Sequence, residues 1–191
     1  MRVVFLDIDG VLNSERYALE LEEKHRLLGH DERGEPCRCF ELYRQIEEQA
    51  RGLAGGEHDP VANAANFSAL LWLMLPDINW AGFYFRKAGW LVLGPFQGMP
   101  ACSRLQMGLG VCGTAAKQAK TLIVADVHKF DGHVACDEAS NSELVVPLMK
   151  HGIVVGVLDI DSPQLARFDA EDAKGIEALA QLWTVRSDDL P

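Results

Sequence analysis

"NWAGFYF" (residues 79–85) and "WLVLGPFQ" (residues 90–97) decide the fold. Both runs are aromatic and β-branched or aliphatic, and Lys87-Ala88-Gly89 joins them, so they predict an antiparallel hairpin. A second pair, "ELVVPLM" (143–149) and "IVVGVLDID" (153–161), repeats the pattern across Lys150-His151-Gly152. Helical signals stand on either side. "FELYRQIEEQARGLAGG" (40–56) ends at Gly55-Gly56, and "HDPVANAANFSALLWLML" (58–75) starts with Asp59 as cap and Pro60 at the first helical position. "GVCGTAAKQA" (110–119) reads as a short helix, "TLIVADV" (121–127) as a strand, and "FDAEDAKGIEALAQLW" (168–183) as a closing helix capped by Asp169. Hairpins framed by helices predict an α+β fold, an antiparallel sheet flanked by helices. "HKFDGHVACDEASN" (128–141) is longer than a connector requires, and loops of that kind carry function.

Composition narrows the classes of activity. A chain of 191 residues accommodates one ordinary domain with an appendage. The boundary expected here is a short N-terminal extension over residues 1–40 and the main domain over 41–191. Eighteen basic against 28 acidic residues leave a net charge of −10, which argues against a nucleic-acid or anionic-membrane surface. No run reaches the roughly 18 apolar residues of a membrane span, and the charged start is not a signal peptide, so a cytoplasmic location is expected. The five cysteines are odd in number and lack small-scaffold spacing, which points to redox chemistry or metal binding rather than a disulfide framework.

Three of those cysteines, Cys102, Cys112 and Cys136, lie among Gly, His and Asp rather than inside apolar strands. Cys112 follows Gly110-Val111 where a helix begins, and a helix N-terminus favours a thiolate. Cys136 has His133 three residues before it and Asp137 directly after. Their separations of 10 and 24 residues, with no CxxC pair, do not suit zinc, so no metal is expected. Further on, Asp159 and Asp161 alternate along "GVLDIDS" and so share one face of an otherwise apolar strand.

Taken in order, "GEHDPVANAANFSALLW", "LPDINWAGFYF", "LVLGPFQGMPAC", "GVCGTA", "DVHKFDGHVACD", "SELVVPL", "GVLDIDSP" and "RFDAED" resemble the free methionine-(R)-sulfoxide reductases, which are built on a GAF domain. The resemblance implies a GAF-like sheet and reduction of free methionine-(R)-sulfoxide, with thioredoxin as electron donor and no bound cofactor. It implies Cys136 as attacking thiolate, Cys102 as the main resolving partner, and Cys112 as an aid to recycling. It also marks Glu143, Asp159 and Asp161 as pocket carboxylates. One would bind the substrate's ammonium while another, raised in pKa by burial beside like charge, supplies a proton. Trp80 and Tyr84 would wall the methyl-sulfoxide end. Arg104, His128 and His133 are candidate partners for a carboxylate or thiolate. A homodimer is one assembly left open.

Two other classes compete. A GAF sensor, binding a small molecule or sensing redox state without turnover, would not need the cysteines. The N-terminal stretch "FLDIDGVLNS" (5–14) resembles the first motif of haloacid-dehalogenase-type phosphatases. A strand there would carry Asp7 and Asp9 to the same end, with Gly10 turning the chain directly after them. The remaining elements of such an enzyme, a second strand ending in Ser or Thr, a distal Lys and a further acidic pair, have no counterpart in the chain. The extension is therefore expected to be non-catalytic.

Overall fold

Two tight turns close the two predicted hairpins. Ala88 and Gly89 adopt φ of 48° and 84°, and His151 and Gly152 adopt 52° and 76°. Two consecutive positive φ values define the hairpin turn whose twist matches that of the flanking strands. The computed structural model describes residues 6–7, 10–11, 40–132 and 139–189. Asp9, His133, Cys136 and Asp137 lie outside them.

The chain divides into two units, Met1–Cys39 and Phe40–Pro191. In the first, β1 (Leu6–Asp7) and β2 (Gly10–Val11) pair antiparallel, with Leu6 opposite Val11 and Asp7 opposite Gly10. This corrects the sequence expectation at one point. Gly10 belongs to the second strand, opposite Asp7, and is not a turn residue that follows the first.

The second unit runs α1 (Phe40–Leu53), α2 (Pro60–Met74), β3 (Trp80–Lys87), β4 (Trp90–Gly98), β5 (Arg104–Gln106), α3 (Gly110–Gln118), β6 (Leu122–Val124), a 3-10 turn (Val127–Lys129), β7 (Ser142–Lys150), β8 (Ile153–Ser162) and α4 (Ala170–Arg186). Its strands form one six-stranded antiparallel sheet in the order β5-β4-β3-β8-β7-β6. The α+β expectation holds, and the predicted caps form. Asp59 accepts from the Val61 and Ala62 amides, and Asp169 makes a capping box with Asp172. β5 escaped the sequence reading because it is three residues long and buries only Leu105.

Side-chain alternation gives the sheet two different faces. On one, Phe83 and Phe85 meet Trp183 of α4 at ring separations of 5.6 Å, and α1 and α2 complete an apolar layer with Ile46, Phe67, Leu71 and Met74. A polar lock ties the helices together inside that layer. Arg167 donates from Nη1 to both carboxylate oxygens of Asp172 at 3.2 Å, and the Tyr43 hydroxyl donates to Asp172 Oδ1 at 2.7 Å. On the opposite face Trp80, Tyr84, Val145 and Val157 pack against Val111, Cys112, Ala115 and Ala116 of α3. α3 docks closely because Gly113 has no Cβ; one placed there would run into the Gln106 carbonyl oxygen of β5.

The lock makes a stability prediction. Tyr43→Phe removes one of several bonds to Asp172 and should cost about 1 kcal/mol. Asp172→Ala strands the Arg167 charge, which is only 7% exposed, and should cost roughly 3–5 kcal/mol. Urea titrations of both variants check the ranking; equal losses would contradict it.

Candidate active site

Strand register assembles the acidic site. Across β7 and β8, Glu143 pairs with Asp161 and Val145 with Asp159; across β3 and β8, Trp80 pairs with Asp161, Gly82 with Asp159, and Tyr84 with Val157. Directly paired residues point to the same side of a sheet. The three carboxylates and both aromatic rings therefore share the face that α3 covers. The alternation along the strand placed Asp159 and Asp161 on one face and the family resemblance grouped Glu143 with them; the register brings Glu143 in from the neighbouring strand.

Glu143 and Asp159 are buried, Asp161 is partly so, and Cys112 closes over them from the first turn of α3. The Cys112 thiol donates to Glu143 Oε1 at 3.7 Å. Donor atoms of Cys112, Glu143 and Asp159 all lie within 4.8 Å of one another, and Asp159 Oδ1 has no hydrogen-bond partner. Burial, reinforced by the charges of Asp159 and Asp161, holds the Glu143 carboxyl well above the ordinary range. Burial likewise pushes Asp159 up to about 6, against the opposing pull of its Cys112 and Glu143 neighbours.

The same physics overturns one sequence expectation. A helix N-terminus favours a thiolate, but Cys112 is buried beside Asp159 and Glu143, which drives its pKa up. Desolvation and like charge outweigh the helix dipole, and Cys112 is held as a thiol.

The aromatic wall is rigid. Trp80 stacks on Tyr84 at 5.8 Å and on Phe96 at 5.3 Å. Its Nε1 donates to the Met99 carbonyl at 3.2 Å, and the Tyr84 hydroxyl donates to the Cys102 carbonyl at 3.1 Å. Phe96 was missed as a site residue. Its signal was position, because it sits opposite Gly82, where an added Cβ would stand 2.7 Å from the Trp80 ring. Cys102 itself is disulfide-bonded, whereas Cys112 is free. Of the other candidates, Arg104 is exposed on β5, and His128 is exposed with Nε2 3.0 Å from Asn141 Oδ1.

A Cβ at Gly132 would meet Leu109, the residue before α3, at 3.5 Å, and Ser140 accepts from Asn79 Nδ2 at 3.0 Å, next to Trp80.

Residues 67–185 match the family model described as GAF domain. An Escherichia coli (strain K12) protein named free methionine-R-sulfoxide reductase is 51% identical over 146 residues, covering 76% of this chain and 88% of that one. The chain belongs to this GAF-domain family of reductases. Among solved structures, the reduced form of fRMsr of Staphylococcus aureus is 47% identical with a TM-score of 0.74, covering 75% of this chain and 94% of that one. The free methionine-R-sulfoxide reductase of Neisseria meningitidis, in complex with its substrate, is 42% identical with a TM-score of 0.74, covering 76% and 88%. The GAF-like fold expected from the sequence is thus shown. Among the described residues, no helix is long and apolar enough to cross a membrane.

Burial of Asp159 has a measurable consequence. Its pKa is about 6 in the fold and ~3.9 in an unfolded chain, so between those values the folded state holds a proton that the unfolded state has released. Stability from this group therefore falls as pH rises from about 4 to about 6 and stays lower above. Asp159→Asn has no such proton. Relative to wild type the variant should gain on the order of 2 kcal/mol across that window, measured by urea unfolding at successive pH values. A pH-independent difference would contradict the burial.

Proposed function

We propose that the chain reduces free L-methionine (R)-S-oxide to methionine through cysteine sulfenic acid and disulfide intermediates, with thioredoxin as the electron donor. The observation that carries this reading is the pocket face, where buried carboxylates stand beside a stacked aromatic wall. Such a face suits a small molecule with an ammonium group at one end and an apolar group at the other. The names of the E. coli and N. meningitidis relatives support the same activity.

In this mechanism the Cys136 thiolate attacks the sulfoxide sulfur while a proton passes to the sulfoxide oxygen. Glu143, kept neutral by burial and like charge, is the proton source. The oxygen then passes from the substrate sulfur to the Cys136 sulfur as the transient sulfur–sulfur bond breaks, so methionine leaves and Cys136 carries the oxygen as sulfenic acid. The Cys102 thiolate then attacks that sulfur, water departs after a further protonation, and a Cys102–Cys136 disulfide forms. A dithiol of thioredoxin reduces it, so two electrons and two protons are consumed per sulfoxide. The disulfide-bonded state of Cys102 agrees with its resolving role. Asp159 and Asp161 take the substrate ammonium, and Trp80 and Tyr84 wall the methyl end. Cys112, bonded to Glu143 and resistant to ionisation, is an auxiliary thiol that enters exchange after Cys102.

Cysteine variants separate these roles. Without external reductant, Cys136→Ser should form no methionine, whereas Cys102→Ser should release about one methionine per chain and then stall. Cys112→Ser should retain that first turnover. Quench-and-count assays on each variant give the answer. First-turnover product from Cys136→Ser, with none from Cys112→Ser, would overturn the assignment.

A further inference from the structure

One feature of the pocket face is not used by thiol chemistry alone: a soft donor and two hard donors converge there from three separate elements. Cys112 comes from α3, Glu143 from β7 and Asp159 from β8, with donor atoms within 4.8 Å of one another. We propose that Cys112 Sγ, Glu143 and Asp159 form a binding site for a divalent thiophilic cation of the zinc class, one that occupies the substrate pocket.

The spacing fits. Tetrahedral coordination with a Zn–S bond of about 2.3 Å and a Zn–O bond of about 2.1 Å sets sulfur and oxygen about 3.6 Å apart. Cys112 Sγ and Glu143 Oε1 stand at 3.7 Å. Independently, Asp159 is only 6% exposed and its Oδ1 has no hydrogen-bond partner, although a buried carboxylate oxygen without one is costly. A cation supplies that partner.

Donor chemistry selects the ion. A sulfur ligand disfavours Mg²⁺ and Ca²⁺, which take oxygen, and favours Zn²⁺ or its spectroscopic substitute Co²⁺. Three protein ligands leave a fourth position for water. As the metal's bonds to sulfur and to the carboxylates form, the Cys112 and Glu143 protons leave to solvent. The expectation of no metal came from the intervals between Cys102, Cys112 and Cys136. This set contains only one cysteine, and strand register rather than sequence interval brings it together. Because the site stands on these three side chains, it does not require the reductase reading to hold.

The experiment uses the full-length, fully reduced protein titrated with Co²⁺ alone and then with Zn²⁺. Wild type should bind about one Co²⁺ per chain with a thiolate-to-cobalt charge-transfer band in the near ultraviolet, and Zn²⁺ should abolish the band. Cys112→Ser should lack the band, and Glu143→Gln should bind Co²⁺ at least about tenfold more weakly. Absence of the band in wild type would overturn the proposal. So would a band of undiminished affinity in Cys112→Ser and Glu143→Gln, which would place the metal on other cysteines.

Discussion

Withdrawal of Glu143, Asp159 and the Cys112 thiol from water, together and on one face of a sheet, is the constraint around which the rest is arranged. An ionised carboxylate moved into an apolar setting without a partner costs several kcal/mol, and two side by side repel as well. The fold meets this cost by keeping protons on the cluster. Glu143 and Cys112 are both held well above their ordinary pKa values, and Asp159 rises to about 6. The result is a site that gains when a cation enters, which is the property an amino-acid pocket needs for an ammonium group.

Such a cluster survives because its surroundings are rigid. On the near side Trp80 is fixed between Tyr84 and Phe96, and Gly113 lets α3 settle onto β5 so that Cys112 reaches Glu143. On the far side the Arg167–Asp172–Tyr43 lock and the rings around Trp183 secure the helices to the sheet. Natural proteins commonly accept locally unfavourable arrangements at functional sites and offset them in the core. Here the near face carries the unfavourable charges and the far face the stabilising layer.

Much of the frame was legible in the sequence. Ala88-Gly89 and His151-Gly152 marked the turns, Asp59 and Asp169 the caps, and "LDID" the shared face of Asp159 and Asp161, because each follows from local chemistry. What lay beyond reach depends on register or burial. Glu143 was grouped with Asp161 by the family resemblance, but its place directly opposite Asp161 follows only from the β7–β8 pairing, and Phe96 joins the wall only through its place opposite Gly82. Cys112 shows the limit most clearly. Its helix-start position favours a thiolate, but the carboxylates that raise its pKa sit 31 and 47 residues away in the chain (143 − 112 and 159 − 112).

The central claim is that buried carboxylates read the substrate's free ammonium group. It is tested most directly by the ratio of kcat/KM for free methionine-(R)-sulfoxide to that for its N-acetyl derivative, with thioredoxin as reductant. Acetylation removes the positive charge and leaves the carboxylates unpaired when the ligand enters, a penalty of several kcal/mol. A ratio of about a hundred or more is predicted. Comparable values for the two substrates would contradict the claim.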